Sequence, residues 1–277
     1  MKRLGAVLLL MAASIDAEYT GATGSRIYYE ASGQGTTAVV LIHGWSCDAT
    51  FWRFQVSELS KHFKVLAIDL PGHGKSDKPD VPYTAKLFSG AVQSAMDANG
   101  IQRAVLAGHS MGSLVIRQVI AEAPERVLGV VSIDGSIVRT LPESFIKQVE
   151  ERVSSMRGPE GLETRRKLIE SMFTSATPPE LRSEILAKML ATPSHVAASA
   201  MDRMVNEPAW RTLAPITAPA LALNKKSEGL QNRRVHEEVF KNLQYVELEG
   251  VSHFLHMEQP RKVNDIITQF LRGSVPR

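Results

Sequence analysis

Short, largely apolar runs recur along this chain at 38–42 (AVVLI), 64–70 (KVLAIDL), 104–107 (AVLA), 126–134 (RVLGVVSID) and 219–223 (PALAL). Runs that are apolar on both faces suit strands buried between two helical layers. The segments between them change period. Residues 51–62 and 85–99 have helical spacing, with Gly100 as the stop of the second, and another helical stretch follows Ser110 and ends near Pro124. A strand at 26–30 (RIYYE) precedes the Gly33-Gln34-Gly35 turn, while a strand at 244–248 (QYVEL) and a helix over 261–271 close the pattern. Alternation of this kind predicts an α/β fold: a mostly parallel central sheet flanked by helices, with right-handed crossovers.

The alternation breaks after Asp134. Residues 138–213 contain only helical patterns (PESFIKQVEERVSSM, ETRRKLIESMF, PELRSEILAKML, SHVAASAMDRMV) before the sheet resumes at 219. This predicts a helical cap, or lid, over 138–213, inserted between two strands of a core formed by 18–137 and 214–277. The cap supplies Met156, Met172, Met189, Met201 and Met204. Methionines at helical spacing mostly fill cores, and some of these are expected to line the space beneath the cap.

One break in the pattern carries chemistry. Gly108-His109-Ser110-Met111-Gly112 fits G-x-S-x-G and lies between a strand and a helix. A serine on so sharp a turn needs glycines two residues to either side to avoid clashes, and it is presented at a helix N-terminus where backbone N–H groups point outward. Ser110 is therefore the candidate nucleophile, and a serine alcohol needs a base to take its proton. Among eight histidines, His253 follows the last strand within GVSHFLHMEQP, at the same sheet edge as Ser110. His256 is three residues further on, with no cysteine or carboxylate cluster to complete a metal site, so it is expected to pack or hydrogen-bond and no metal is expected. The imidazole needs a carboxylate partner. Asp134 ends a strand and precedes Gly135, whereas Glu228 lies in the looser KKSEGL. Asp134 is favoured and Glu228 is the alternative.

Composition narrows the function classes. With 277 residues, 44% hydrophobic and 22% charged, the chain has ordinary globular composition and can bury a sizeable core. The net charge of +3 is small and the basic residues are scattered, so a nucleic-acid partner is not expected. The N-terminus, MKRLGAVLLLMAASIDAEYT, has two basic residues, an apolar run too short to span a bilayer, and small residues before Ala17-Glu18. Residues 1–17 have the shape of a secretory signal peptide, which predicts an exported protein, periplasmic or secreted. The other reading is an N-terminal helix packed on the domain. No cysteine stands near the cleavage zone to carry a lipid anchor, and the single cysteine, Cys47, cannot form an intrachain disulfide.

His43-Gly44 after a central strand, DLPGHGKS at 69–76, the GHSMG elbow and GVSHFLHMEQP together resemble the α/β-hydrolase superfamily over about residues 18–271. The resemblance implies the α/β-hydrolase fold and a serine hydrolase of esterase or lactonase type with a helical lid and no cofactor. It implies that the backbone N–H groups of Trp45 and Met111 form an oxyanion hole, that the Trp45 side chain walls the acyl pocket, and that DLPGHGKS is a structural turn. Many relatives carry Gly-x-x-Asp after the strand that ends here at Leu223. This chain has NKKSE instead, which raises Asp134 as the acid. Ser252 stands where a glycine is frequent.

Serine at the elbow disfavours the dehalogenase and epoxide-hydrolase branches, which use a carboxylate nucleophile. The expected activity is hydrolysis of small or medium apolar carboxylic esters through an acyl-enzyme. Lactones, including acyl-homoserine lactones, are the first alternative; carbon–carbon bond hydrolysis and cofactor-free perhydrolysis use the same residues. A hydrolase-like binding protein with little turnover is the reading from a different class. Oligomeric state is not legible in the chain.

Overall fold

Alternate residues of the 38–42 run face opposite sides of one sheet. Val40 and Ile42 join a core with Leu66, Ile68 and Leu106, whereas Val39 and Leu41 join a second core with Val65, Ala67 and Val105. That two-residue period, with every position buried, is what a strand between two helical layers requires. The computed structural model describes residues 13–18, 24–137, 141–207, 215–226 and 231–275. Its strands are β1 (Ala13–Glu18), β2 (Arg26–Ser32), β3 (Ala38–Ile42), β4 (Lys64–Ile68), β5 (Ala104–His109), β6 (Val127–Ile133), β7 (Ala220–Lys225) and β8 (Leu243–Leu248). They form one sheet in the order β1-β2-β4-β3-β5-β6-β7-β8. The pairs β1–β2 and β2–β4 are antiparallel and all the others parallel. This is the α/β-hydrolase fold expected from the sequence.

Helices α1 (Arg53–Leu59), α2 (Ala85–Ala98) and α3 (Met111–Glu122) follow β3, β4 and β5. Thr84 caps α2 by accepting the Leu87 N–H at 3.1 Å, and Gly100 turns the chain out at φ +64°. The predicted helix over 51–62 is shorter than expected. A 3₁₀ turn over Ala49–Trp52 precedes α1, which stops at Leu59. Among the described residues between β6 and β7 stand the cap helices α4 (Glu143–Arg157), α5 (Gly161–Glu170), α6 (Pro179–Ala191) and α7 (Ser194–Asn206). Their apolar faces, including Val149, Val153, Ile169, Ile185 and Val196, are continuous with the first core. After β7 come α8 (Gln231–Val239), α9 (Leu255–Glu258) and α10 (Pro260–Gly273). The last buries Val263, Ile267, Phe270 and Leu271, a stripe at helical spacing.

Three elements are not foreseen by the pattern, the first being α9, whose four residues are too few to show a period. Helix α8 reads QNRRVHEEV, too polar to signal its period. Strand β1 occupies residues assigned above to the end of a leader, and pairs with β2 from Ala13↔Ala31 to Glu18↔Arg26. Residues 1–12 lie outside the described residues. No helix among the described residues is long and apolar enough to cross a membrane.

Candidate active site

The carboxyl ends of β3, β5, β6 and β8 share one sheet edge, where ligands of open α/β sheets bind. Ser110 follows β5 directly, at φ +50° and ψ −113°, and caps α3. Its backbone N–H donates to the Ile133 carbonyl of β6 at 2.9 Å. The flanking glycines are there for space. A Cβ on Gly108 would lie 2.5 Å from the Gly112 carbonyl carbon, and one on Gly112 would drive into the Ile42 carbonyl oxygen. Behind the turn, the Ser113 hydroxyl donates to the Gly108 carbonyl at 3.1 Å and meets the Ser132 hydroxyl at 2.9 Å.

Ser46, Ser110 and Asp134, at φ +57°, +50° and +41°, are the non-glycine residues with left-handed backbone among the described residues. All three stand just past the ends of β3, β5 and β6. Such conformations cost about 1–3 kcal/mol each and persist where surrounding structure enforces them. Among the described residues this non-glycine strain is thus collected at this edge.

His253 Nδ1 lies 2.6 Å from Asp134 Oδ2. A carboxylate only accepts, so Nδ1 carries a proton, and in the neutral ring Nε2 presents a lone pair. Asp134 is fixed by two backbone contacts. Its N–H donates to the Leu223 carbonyl at 2.8 Å, and its Oδ1 accepts the Lys225 N–H at 3.2 Å. His253 is held from both sides as well. Its N–H donates to the Met172 carbonyl of the cap at 3.2 Å, and its carbonyl accepts His109 Nε2 at 2.9 Å. Ser252 acquires a role here: its hydroxyl accepts the Phe254 N–H at 3.2 Å across the turn that carries His253. Glu228, the alternative acid, lies outside the described residues.

Ser110 and His253 open onto one cavity of about 240 Å³ beneath the cap. That is a little under the ~300–1,000 Å³ usual for drug-sized ligands. Trp45 forms one wall, its indole N–H donating to the Ala197 carbonyl of α7 at 2.8 Å. Met172, Met201 and Met204 line the cap side, whereas Met156 and Met189 are buried in the part of the first core that the cap helices build. Met111 opens α3, so its N–H has no partner within the helix and faces the edge beside Ser110.

The histidines packed behind the site are neutral. His109 packs between His253 and His256, with ring centroids 4.7 and 4.6 Å away and the planes tilted by 47° in each pair. Burial and these two neighbours hold its pKa well below the ordinary value. Gly44 makes room for it, since a Cβ there would lie 2.8 Å from His109 Nδ1. His256 is drawn down to about 3, chiefly by burial, and stacks on Trp52 at 4.9 Å. Among the described residues neither of its ring nitrogens has a hydrogen-bond partner, so there it packs rather than bonds. In DLPGHGKS, Asp69 accepts the Ala49 N–H at 2.6 Å and the Lys75 N–H at 2.7 Å, which ties the turn to the loop after β3. No group of three or more His, Cys, Asp or Glu side chains suited to a metal ion occurs among the described residues.

Several contacts at this site had no sequence signal: the Met172 carbonyl, the Lys225 N–H and the His109 imidazole all meet their partners across long sequence separations. Arg152 and Lys225, which also line the cavity, are polar residues in polar segments and were likewise silent.

The sequence profile of the alpha/beta hydrolase family matches residues 39–266. A stretch of 113 residues is 38% identical to the dihydrolipoyllysine-residue acetyltransferase component of the acetoin cleaving system of Cupriavidus necator, covering 41% of this chain and 30% of that protein. The chain thus spans under a third of that relative's length. The structure is similar to a thermophilic esterase from Thermogutta terrifontis, with 25% identity and a TM-score of 0.83 over 96% of this chain and 100% of that one. It is also similar to the enol-lactonase from Burkholderia xenovorans LB400, with 27% identity and a TM-score of 0.80 over 90% and 97% of the two chains. With its elbow, its sheet and four-fifths of its length matched in this way, the chain belongs to the alpha/beta hydrolase family.

Proposed function

We propose that this hydrolase cleaves small or medium carboxylic esters with an apolar acyl group, through an acyl-enzyme on Ser110. The observation that carries the reading is the 2.6 Å contact between His253 Nδ1 and Asp134 Oδ2, with His253 and Ser110 on one cavity. Ser110 Oγ attacks the ester carbonyl while His253 Nε2 takes its proton. Negative charge gathers on the carbonyl oxygen, where the N–H groups of Trp45 and Met111 receive it; each such donor is worth about 3–4 kcal/mol in the transition state. The imidazolium, steadied by Asp134, returns its proton to the leaving alkoxide, and the alcohol departs. Water then attacks the acyl carbonyl by the same route, giving the acid and restoring Ser110.

The modest cavity and its methionine-rich cap side support a small, apolar acyl group. A lactone is the second reading, because ring opening uses the same steps and an enol-lactonase is among the similar structures. Export after removal of residues 1–17 is part of the proposal and rests on the leader pattern; that cleavage takes away all of β1 but Glu18 and leaves β2 at the sheet edge. The test is hydrolysis of a short-chain chromogenic ester by wild type and Ser110→Ala. The variant should lose at least 10⁴-fold in kcat; equal slow rates in both would leave a binding protein as the better reading.

A further inference from the structure

The cavity that holds Ser110 and His253 carries two cationic side chains, Arg152 of α4 and Lys225 at the end of β7, and no carboxylate among its described lining residues. Lys225 has a neighbour, its Nζ lying 4.0 Å from Asp134 Oδ2. Arg152 has none. It is half-buried, and among the described residues its guanidinium makes no hydrogen bond, ion pair or ring contact.

An arginine that only needed water could sit on the outer face of α4, where Glu143, Glu150 and Glu151 are exposed. Arg152 instead lines the cavity onto which Ser110 opens, one position from Val153 and three from Val149, which are buried on the inner face. A partly desolvated guanidinium with no counter-ion is unfavourable until an anion reaches it. Its planar fork matches a carboxylate through two parallel hydrogen bonds. A second cation at the same cavity, with low-dielectric walls around both, adds to the attraction for an anion entering from solvent.

We infer that the substrate is an ester or lactone that also carries a carboxylate on the chain entering the cavity, and that Arg152 pairs with it. This rests on the hydrolase reading above and narrows its apolar acyl group to a chain that is apolar along its length and anionic at its far end. The bulk of the chain lies against the methionines of the cap, while the terminal carboxylate meets the guanidinium, so the reacting carbonyl is set at Ser110 by recognition at its far end. Arg152 is then a specificity residue. Lys225 is the poorer handle for a test, because altering it disturbs Asp134.

The test compares two esters that differ only at the chain end: 4-nitrophenyl hexanoate and the mono-4-nitrophenyl ester of adipic acid, in which a carboxylate replaces the terminal methyl. Wild type should favour the anionic ester by tenfold or more in kcat/KM, with the preference shrinking as salt is raised. In Arg152→Gln the ratio should collapse to about one or below, and Arg152→Lys should keep part of it. The ratio is taken within each protein, so a loss of folded material cancels. A wild-type ratio at or below one, or a ratio unchanged in Arg152→Gln, overturns the inference while the hydrolase reading stands. Binding supplies a readout that does not need turnover. In Ser110→Ala, calorimetric Kd values for monomethyl adipate and methyl hexanoate should differ tenfold in favour of the anion. Should neither nitrophenyl ester be hydrolysed, the hydrolase reading fails, and this binding ratio alone decides the inference.

Discussion

Asp134 occupies a position where a non-glycine residue is held at φ +41°, two backbone groups fix its carboxylate and main chain, and the His253 imidazole lies 2.6 Å away. Strain of this kind is tolerated when the side chain it aims has work to do. Exchange of one carboxylate oxygen for an amide changes little in shape but reverses the hydrogen bond. The amide of an asparagine here would present an N–H to Nδ1 or force the opposite tautomer, leaving Nε2 protonated and unable to accept from Ser110. Asp134→Asn should therefore lower kcat about 10⁴-fold at equal folded content, whereas Glu228→Gln should stay within a few-fold of wild type. Steady-state kinetics on both variants checks this; the reverse order would move the acid to Glu228. Ser110, His253 and Asp134 could be singled out in the sequence because each follows a recognisable strand, and strand ends in a parallel sheet converge on one edge. The features that hold them in place could not be found this way. The His109–His253 contact joins residues 144 apart, and it depends on the absence of a side chain at Gly44.

At the scale of elements, the cap is fastened to the histidine loop at one point of high charge. Glu258 in α9 accepts the Thr177 hydroxyl, from the cap, at 2.5 Å and the Ser252 N–H at 2.5 Å. Its two oxygens thus link the α5–α6 connection to the turn that carries His253, beside the Met172–His253 contact. Glutamine at this position has one accepting oxygen and would turn an amide N–H toward the other donor. Hydrogen bonds to charged groups contribute about 1.5–3 kcal/mol. Glu258→Gln should lower the stability measured by urea unfolding by about that much, and limited proteolysis should cut the α5–α6 connection faster; an unchanged urea midpoint would show that the link carries no load. Strands β2 to β8 and the cap helices follow from hydrophobic period in the sequence, within a few residues at each end. Helix α8 does not, because nine residues with four charges give no apolar stripe to read. Strand β1 does not either: the run that contains it has the polarity profile of a leader, and its pairing with β2 is a long-range choice of the fold.

The whole molecule should respond to acid through its buried imidazoles. His73 and His256 are both drawn down to about 3, first by burial, against about 6.5 for an exposed histidine. The unfolded chain binds these protons more readily than the fold between those limits. The stability they contribute is therefore complete above about pH 6.5 and drains away as pH falls toward 3, by up to ~1.4 kcal/mol per pH unit for each group. His43 and His109 are shifted in the same direction by burial. Asp69, whose carboxyl is pushed up by burial, works the other way, its contribution growing as pH falls toward its unfolded value. Four imidazoles against the carboxyls of Asp69 and Glu207, the latter also pushed up by burial, leave a net loss of stability in acid. Urea midpoints between pH 7 and 4 should fall steadily, and His256→Phe should flatten the slope by about one proton, since no hydrogen bond of that ring is lost. A profile flat down to pH 4 would mean these rings are protonated in the fold.

Catalysis by this route requires a covalent bond to Ser110, and that bond can be weighed. Wild-type protein mixed with excess 4-nitrophenyl ester, quenched in acid during turnover and analysed by intact and peptide mass spectrometry, should carry one acyl group. The added mass should sit on the peptide containing Ser110 and be absent from Ser110→Ala. Turnover with no adduct in any quenched sample, or an adduct on another residue that persists in Ser110→Ala at the wild-type rate, would contradict the acyl-enzyme mechanism.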